Sequence, residues 1–362
     1  MTSVNQVGLV ESRAAFDCIR DEWNDLVSRT TDPFFYRHEF FSTWLDHFAA
    51  GNKLFIMTLR DQRGRLSAVL PMLRTLSFLR GMPIRQLRSA ANLHSGRYDL
   101  IADDPARAGP AMFRHLAGNS DWDALVLTDV PRGGRAGWLI EAALESGYPT
   151  GRWTATHSPY ITLPASWNEL HGRLSPRFRA NLRRRARRLA SRGRVEFRRV
   201  VDAPELVAAG MQLELAGWKG RAGTAMAQDK ATKNFYIALA RQLVRHHCLT
   251  FWTLHLDDQL LAFQYGVEQQ GCYALLKPVY NEEFSCYSPG QLLMAEVLRD
   301  AIARGLTCFD FLGDNMPWKQ DWHPQLQAQE WLYVFRNNFY GHLLHAAKFR
   351  VRRPVPRTER LS

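Results

Sequence analysis

The residues of this chain best suited to ligand binding and proton transfer lie within 272–322. An apolar run, Cys272-Tyr-Ala-Leu-Leu-Lys-Pro-Val-Tyr280, precedes Ser288-Pro-Gly-Gln-Leu-Leu293, Phe309-Asp-Phe-Leu-Gly-Asp314, the pair Trp318-Lys319, and Trp322. Groups of these types can seat an anion, polarise a carbonyl and move protons. Ser288 is suited to cap a helix, Pro289 to its first position, and Gly290 leaves the next N–H unobstructed. With Gln291 in the same turn, this helix start could bind an anion. Strand amides around Leu275–Lys277 could polarise a carbonyl. Asp310 and Asp314 flank a strand end, where one could take a proton and the other hold a cation or hydroxyl. Against these stand blander readings: a well-capped helix at Ser288 and a turn cap at Asp314.

These motifs resemble the CelD/BcsL-type acetyltransferase-like family of the GNAT superfamily, which is related to the Fem-type peptidoglycan aminoacyltransferases. The matching positions are Lys277, Tyr280, Ser288 to Gly290, Phe309 to Phe311, Gly313, Asp314, Trp318 and Lys319, and the likeness is strongest over about 170–325. The usual GNAT pyrophosphate loop is reduced to Gly290. The resemblance implies acetyl-CoA or another acyl-CoA as co-substrate, without a metal, held by Lys277, Ser288, Gly290 and Gln291. It implies Tyr280 as proton donor to the sulfur, and it extends to Glu214-Leu-Ala-Gly-Trp-Lys-Gly220, where Glu214 is the alternative base. Lys319 would engage a phosphorylated acceptor, with Trp318 and Trp322 as a stacking wall. A packing tyrosine, a salt-bridged glutamate and a surface lysine between core tryptophans are the competing readings.

The elements that must position these groups follow from pattern. Leu54–Gln62 with Leu66–Pro71, and Leu249–Gln259 with Leu260–Tyr265, are two β-hairpins about 195 residues apart. Each is later followed by a helix and a strand ending in acid, Asp129 or Asp314. The pattern predicts α/β (α+β) with tandem copies of one module, and the resemblance implies that these are GNAT-like, each built on a mixed sheet flanked by helices. Residues 1–165 form a degenerate acceptor-side module, 166–345 the acyltransferase module, and 346–362 a basic tail. Met294, Leu298, Ala301 and Ile302 recur at helical spacing after Gly290, and Gly305 stops that helix. In the first module, His94-Ser-Gly-Arg-Tyr-Asp99 is a polar loop that could offer Asp99 to an acceptor across the domain cleft.

The net charge of +12 is local. Residues 173–199 carry twelve arginines against Glu196, and 348–360 carry Lys348 and five arginines against Glu359. Helix 176–192 has one apolar stripe, Phe178, Leu182, Ala186 and Leu189, under a surface of arginines including Arg183 that would attract an anionic acceptor or the donor's phosphates. Five cysteines without paired spacing argue against a zinc ribbon or disulfide framework. His342 and His345 lack a third ligand, and no apolar run reaches the roughly 18 residues of a spanning helix. The expected setting is cytoplasmic, with peripheral contact to the anionic inner membrane through the basic helix and tail. The expected activity is N-acylation of an amine on a phosphorylated sugar or an envelope or polysaccharide precursor. Two alternatives are a Fem-like transferase using aminoacyl-tRNA, and a non-catalytic module binding anionic membrane or nucleic acid.

Overall fold

Two hairpin-led runs of strand seed the architecture, each adding antiparallel strands to one side of the molecule. The computed structural model describes residues 6–30 and 33–350, so most of the basic tail lies outside the described residues. The strands are β1 (Gln6–Val10), β2 (Lys53–Arg60), β3 (Leu66–Leu79), β4 (Met82–Ser89), β5 (Ile101–Ala102), β6 (Ala124–Pro131), β7 (Thr150–Thr162), β8 (Val195–Val200), β9 (Leu249–Leu256), β10 (Gln259–Gln269), β11 (Cys272–Tyr280), β12 (Cys308–Asp310) and β13 (Gln325–Phe335). They join one mixed sheet in the order β1-β2-β3-β4-β6-β13-β7-β12-β11-β10-β9-β8, with β5 beside β3.

That order reads as two copies of one plan. In each half, three antiparallel pairings lead to a strand that pairs parallel with the next over only three residues, Gln86–Arg88 with Ala124–Val126 and Cys272–Ala274 with Cys308–Asp310. A helix fills each crossover, Pro105–Ala117 in the first half and Pro289–Ala303 in the second. The last strand of each half is exchanged. β7 crosses to β12, β13 crosses to β6, and the two pair antiparallel with each other at the centre. Strand hydrogen bonds therefore tie the first 162 residues to the second half. Among the described residues no linker separates two bodies.

Packing reinforces this union. Phe235, on the helix Lys230–Arg245 of the second half, lies 6.0 Å from Phe40 and 5.0 Å from Phe48 of the helix His38–Phe48. One hydrophobic cluster consequently runs through both halves on this face of the sheet. A second cluster forms where the helix Pro289–Ala303 covers β9 to β12, and the expected Met294, Leu298, Ala301 and Ile302 are buried in it.

The arginine helix spans Pro176–Ala190 and is capped by the Ser175 hydroxyl, which accepts from Phe178 N–H at 3.2 Å. Phe178, Leu182 and Leu189 are buried, but Ala186 is exposed and Arg185 is half-buried beside the same stripe. The helix turns 3.6 residues per turn, so the seventh residue after Phe178 lies closer to the seam than the eighth. Among the described residues no helix is long and apolar enough to cross a membrane.

Candidate active site

The short parallel pairing of β11 with β12 creates the site. β12 ends at Asp310, opposite Ala274, whereas β11 continues through six more residues to Tyr280, bonded only to β10. The two strands therefore part like a wedge. Within it Tyr265 faces Lys277 and Gly266 faces Leu275, leaving Leu276 as the extra residue of a β-bulge. A bulge interrupts the ladder and re-aims the side chains after it. The strand amides expected near Leu275–Lys277 thus line an edge that no neighbouring strand covers.

Tyr280, at the tip of β11 and 39% exposed, packs against the start of the helix Pro289–Ala303, where a Cβ on Gly290 would lie 3.5 Å from its ring. Ser288 occupies the N-cap position but with φ +49°, and its side chain makes no cap bond; the hydroxyl donates weakly to Ser285 O at 3.4 Å. This corrects the expected side-chain cap: the left-handed backbone turns the hydroxyl away from the helix. Pro289 has no N–H, and the N–H groups of Gln291 and Leu292 both return to Ser288 O. The expected cradle of amides narrows to the Gly290 N–H, at a terminus whose first turn holds no acidic residue. The matching helix in the first half starts differently. There Asp104 caps the terminus, its carboxylate accepting from Arg107 N–H at 3.1 Å.

Gln291 is spent on the protein. Its amide donates to Trp318 O at 3.0 Å and accepts from Trp322 Nε1 at 2.7 Å, clamping the 317–322 turn to the helix start. Trp322 is 1% exposed and meets Phe178 edge-on at 5.1 Å, so it is a core residue and not part of a stacking wall. Trp318 is half-buried, 5.9 Å from Phe311.

Lys319 also turns inward. It is 6% exposed, and its ammonium donates to the carbonyls of Leu312 (2.6 Å), Asp314 (2.8 Å) and, weakly, Phe311 (3.4 Å). Those carbonyls belong to a turn in which Leu312 and Gly313 both have positive φ. The ammonium expected to meet an acceptor phosphate instead holds this turn together. Burial pushes its pKa down to about 8, against the pull of Asp314 and Asp310.

Asp310 accepts from Leu312 N–H at 2.9 Å and pairs with Arg97 of the first half, which also reaches Ser158 Oγ at 3.2 Å. Asp314 accepts from Thr156 Oγ1 at 2.5 Å. Both carboxylates thus meet first-half residues: Arg97 belongs to the polar loop read for Asp99, whereas Thr156 carries no motif that would mark it in the sequence. Asp99 is 5% exposed and accepts from the N–H groups of Leu100, Arg135 and Ala136 at 2.7–2.8 Å. It fixes the 134–136 segment and does not face an acceptor. The loop reaches the other half through His94, whose ring bonds Tyr236 OH at 3.0 Å and approaches Thr232 Oγ1 at 3.4 Å.

On the opposite side of β11 from Gly290, a small cleft is lined by Glu214, Trp218, Lys219, Pro278, Tyr280 and Glu282. Glu214 is 3% exposed and accepts from Lys219 Nζ and Met226 N–H, each at 2.7 Å. Its helix stops at Ala216, so Trp218 begins a separate turn and stands 50% exposed at the cleft. Lys277, just past the bulge, is half-buried with its amine 4.9 Å from the Tyr236 ring centre. Arg183 lies apart, exposed on the arginine helix, where with Arg179 and Arg299 it adds to the burial that depresses the His171 pKa. His342 and His345 bond Asn337 and Thr150 O, not each other.

Comparison with known proteins agrees with this geometry at the level of fold. FemX shares it at 12% identity, over 90% of this chain and 98% of that one, with a TM-score of 0.61. The C-terminal domain of a protein described as a lysylphosphatidylglycerol synthetase from Agrobacterium fabrum shares it at 12% identity over 91% and 95%, with a TM-score of 0.55. L-PGS from Bacillus licheniformis does so at 12% identity over 92% and 97%, with a TM-score of 0.52. No curated protein matches the sequence. Residues 176–320, from the arginine helix to the turn that Gln291 clamps, match the family model of the acetyltransferase (GNAT) domain.

Proposed function

We propose that this protein is a GNAT-type N-acyltransferase of the CelD/BcsL type, transferring an acyl group from acyl-CoA to an amine on a phosphorylated sugar or an envelope-precursor acceptor. One observation carries the reading: the wedge between β11 and β12 opens beside the Gly290 N–H, so a thioester laid along the free edge of β11 would have its phosphates near the helix start. The donor's carbonyl would meet amides at the Leu276 bulge, and Tyr280 lies at the wedge mouth to return a proton to the thiolate. Asp104 at the matching helix start repels a phosphate, which supports an acceptor role for the first half. Arginines of the 176–190 helix would raise the local concentration of an anionic donor or acceptor. They also favour the second reading, an aminoacyl-tRNA donor, and that reading requires binding that weakens steeply with salt.

Calorimetric titration with acetyl-CoA and longer acyl-CoA separates these readings. Wild type should bind, and Gly290→Val should bind at least tenfold more weakly, whereas Gly290→Ala, whose methyl meets Tyr280 only at ordinary contact distance, should fold normally. Failure of every acyl-CoA to bind, together with salt-sensitive capture of aminoacyl-tRNA, would replace the first reading with the second.

A further inference from the structure

Lys277 holds an unusual place in this architecture. The bulge at Leu276 delivers its side chain to the sheet face covered by the helices Val207–Ala216 and Lys230–Arg245, next to the cleft and one residue before Pro278 in its wall. The groups around it do not supply a counter-ion. Glu214 is occupied by Lys219 and the Met226 N–H, Tyr236 offers the face of its ring, and Lys219 brings a second positive charge. His94, from the first half, is half-buried and neutral, with its ring nitrogens directed to Tyr236 and Thr232 and the Asp229 carboxylate beyond. Burial first, and then the Lys219 charge, push the Lys277 amine down to about 8, with Glu214 opposing.

Resting on the acyltransferase reading, we propose that Lys277 is the catalytic base, accepting a proton from the acceptor's ammonium so that the freed amine attacks the thioester. The N–C bond forms as the C–S bond breaks. Of the two protons the ammonium loses overall, one ends on the departing thiol, delivered from Tyr280 or Lys277, and the other leaves to solvent. An amine serves as a base only when much of it is neutral at working pH, and a cleft-side position without a carboxylate partner keeps it so. Glu214 and Lys219 then act as positioning residues, their ion pair setting the field at the amine.

Two measurements test this. The chain has only seven lysines, so trace acetylation with acetic anhydride across a pH series, read by mass spectrometry, titrates each one. Lys277 should reach half-reaction near pH 8, below the ordinary lysine range, and Lys219→Met should move its midpoint up toward that range. A Lys277 midpoint in the ordinary lysine range, or no reaction at Lys277 at any pH, overturns the proposal. In the second measurement, acceptor-dependent thiol release from acyl-CoA should fall about 100-fold or more in Lys277→Arg, which keeps the charge but cannot accept a proton, with the KM for acyl-CoA unchanged. If wild type is active and Lys277→Arg equally so, the base proposal alone fails. If wild type transfers no acyl group to any amine, the acyltransferase reading fails and takes the proposal with it.

Discussion

Replacing Lys319 with methionine separates a structural lysine from a ligand-binding one. Methionine keeps most of the apolar stem and removes the ammonium that bonds Leu312 O at 2.6 Å and Asp314 O at 2.8 Å. Asp314 O retains Met316 N–H at 3.0 Å, so the loss concentrates on the Leu312 carbonyl. Leaving one buried carbonyl unsatisfied costs about 1–3 kcal/mol, and losing the charge-assisted bond to the second adds about 1 kcal/mol. Relief from burying the ammonium offsets part of this, which leaves a destabilisation of roughly 2 kcal/mol. Because Leu312 and Gly313 both hold positive φ, the turn has little intrinsic preference for this shape and should loosen. Urea unfolding followed by tryptophan fluorescence should show a lower midpoint, and calorimetry a Tm lower by roughly 4–8 °C at about 2–4 °C per kcal/mol. A variant with the midpoint of wild type and no activity would refute the reasoning and return Lys319 to the acceptor.

The Arg97–Asp310 pair joins the halves with side chains 17% and 15% exposed, so Arg97→Ala strands a largely buried carboxylate. Stability should fall by about 3 kcal/mol in urea, and Arg97→Ala with Asp310→Asn together should lose less than the single arginine change. His94 titrates in the window set by its depressed pKa, held to about 3 by burial first and by the Lys277 charge second. Above about 6.5, the unfolded value, neither state binds the proton; below it the unfolded chain does and the folded chain does not. Stability should therefore fall as pH drops from about 6.5 toward 3, and His94→Gln should flatten that part of a Tm-versus-pH curve.

Local chemistry along the chain made the elements legible. The hairpins at 54–71 and 249–265 appear as β2-β3 and β9-β10, the strand 272–280 keeps its expected limits, and the helix after Ser288 runs to Ala303. Each rests on side chains near in sequence: apolar alternation, proline's fixed φ, glycine at a helix end. The strand expected to run to the acid at Asp314 stops at Asp310, because the left-handed turn at Leu312–Gly313 is stabilised by Lys319 from beyond it.

What the sequence determined by itself was the α/β class, the doubled plan and the concentration of charge on one helix. Which polar groups face a ligand and which face the protein was decided only by tertiary structure. Gln291, Lys319, Trp322 and Asp99 look functional as residue types, yet each finds its partners inside the fold. His94 and Arg97 lie in the polar loop read for Asp99, and Thr156 and Tyr236 carry no local signature; the fold joins them across the halves over separations of 142 to 213 residues. A hydrogen bond is satisfied by whatever the fold brings within about 3 Å, and strand exchange brings together residues whose separation along the chain gives no hint of contact.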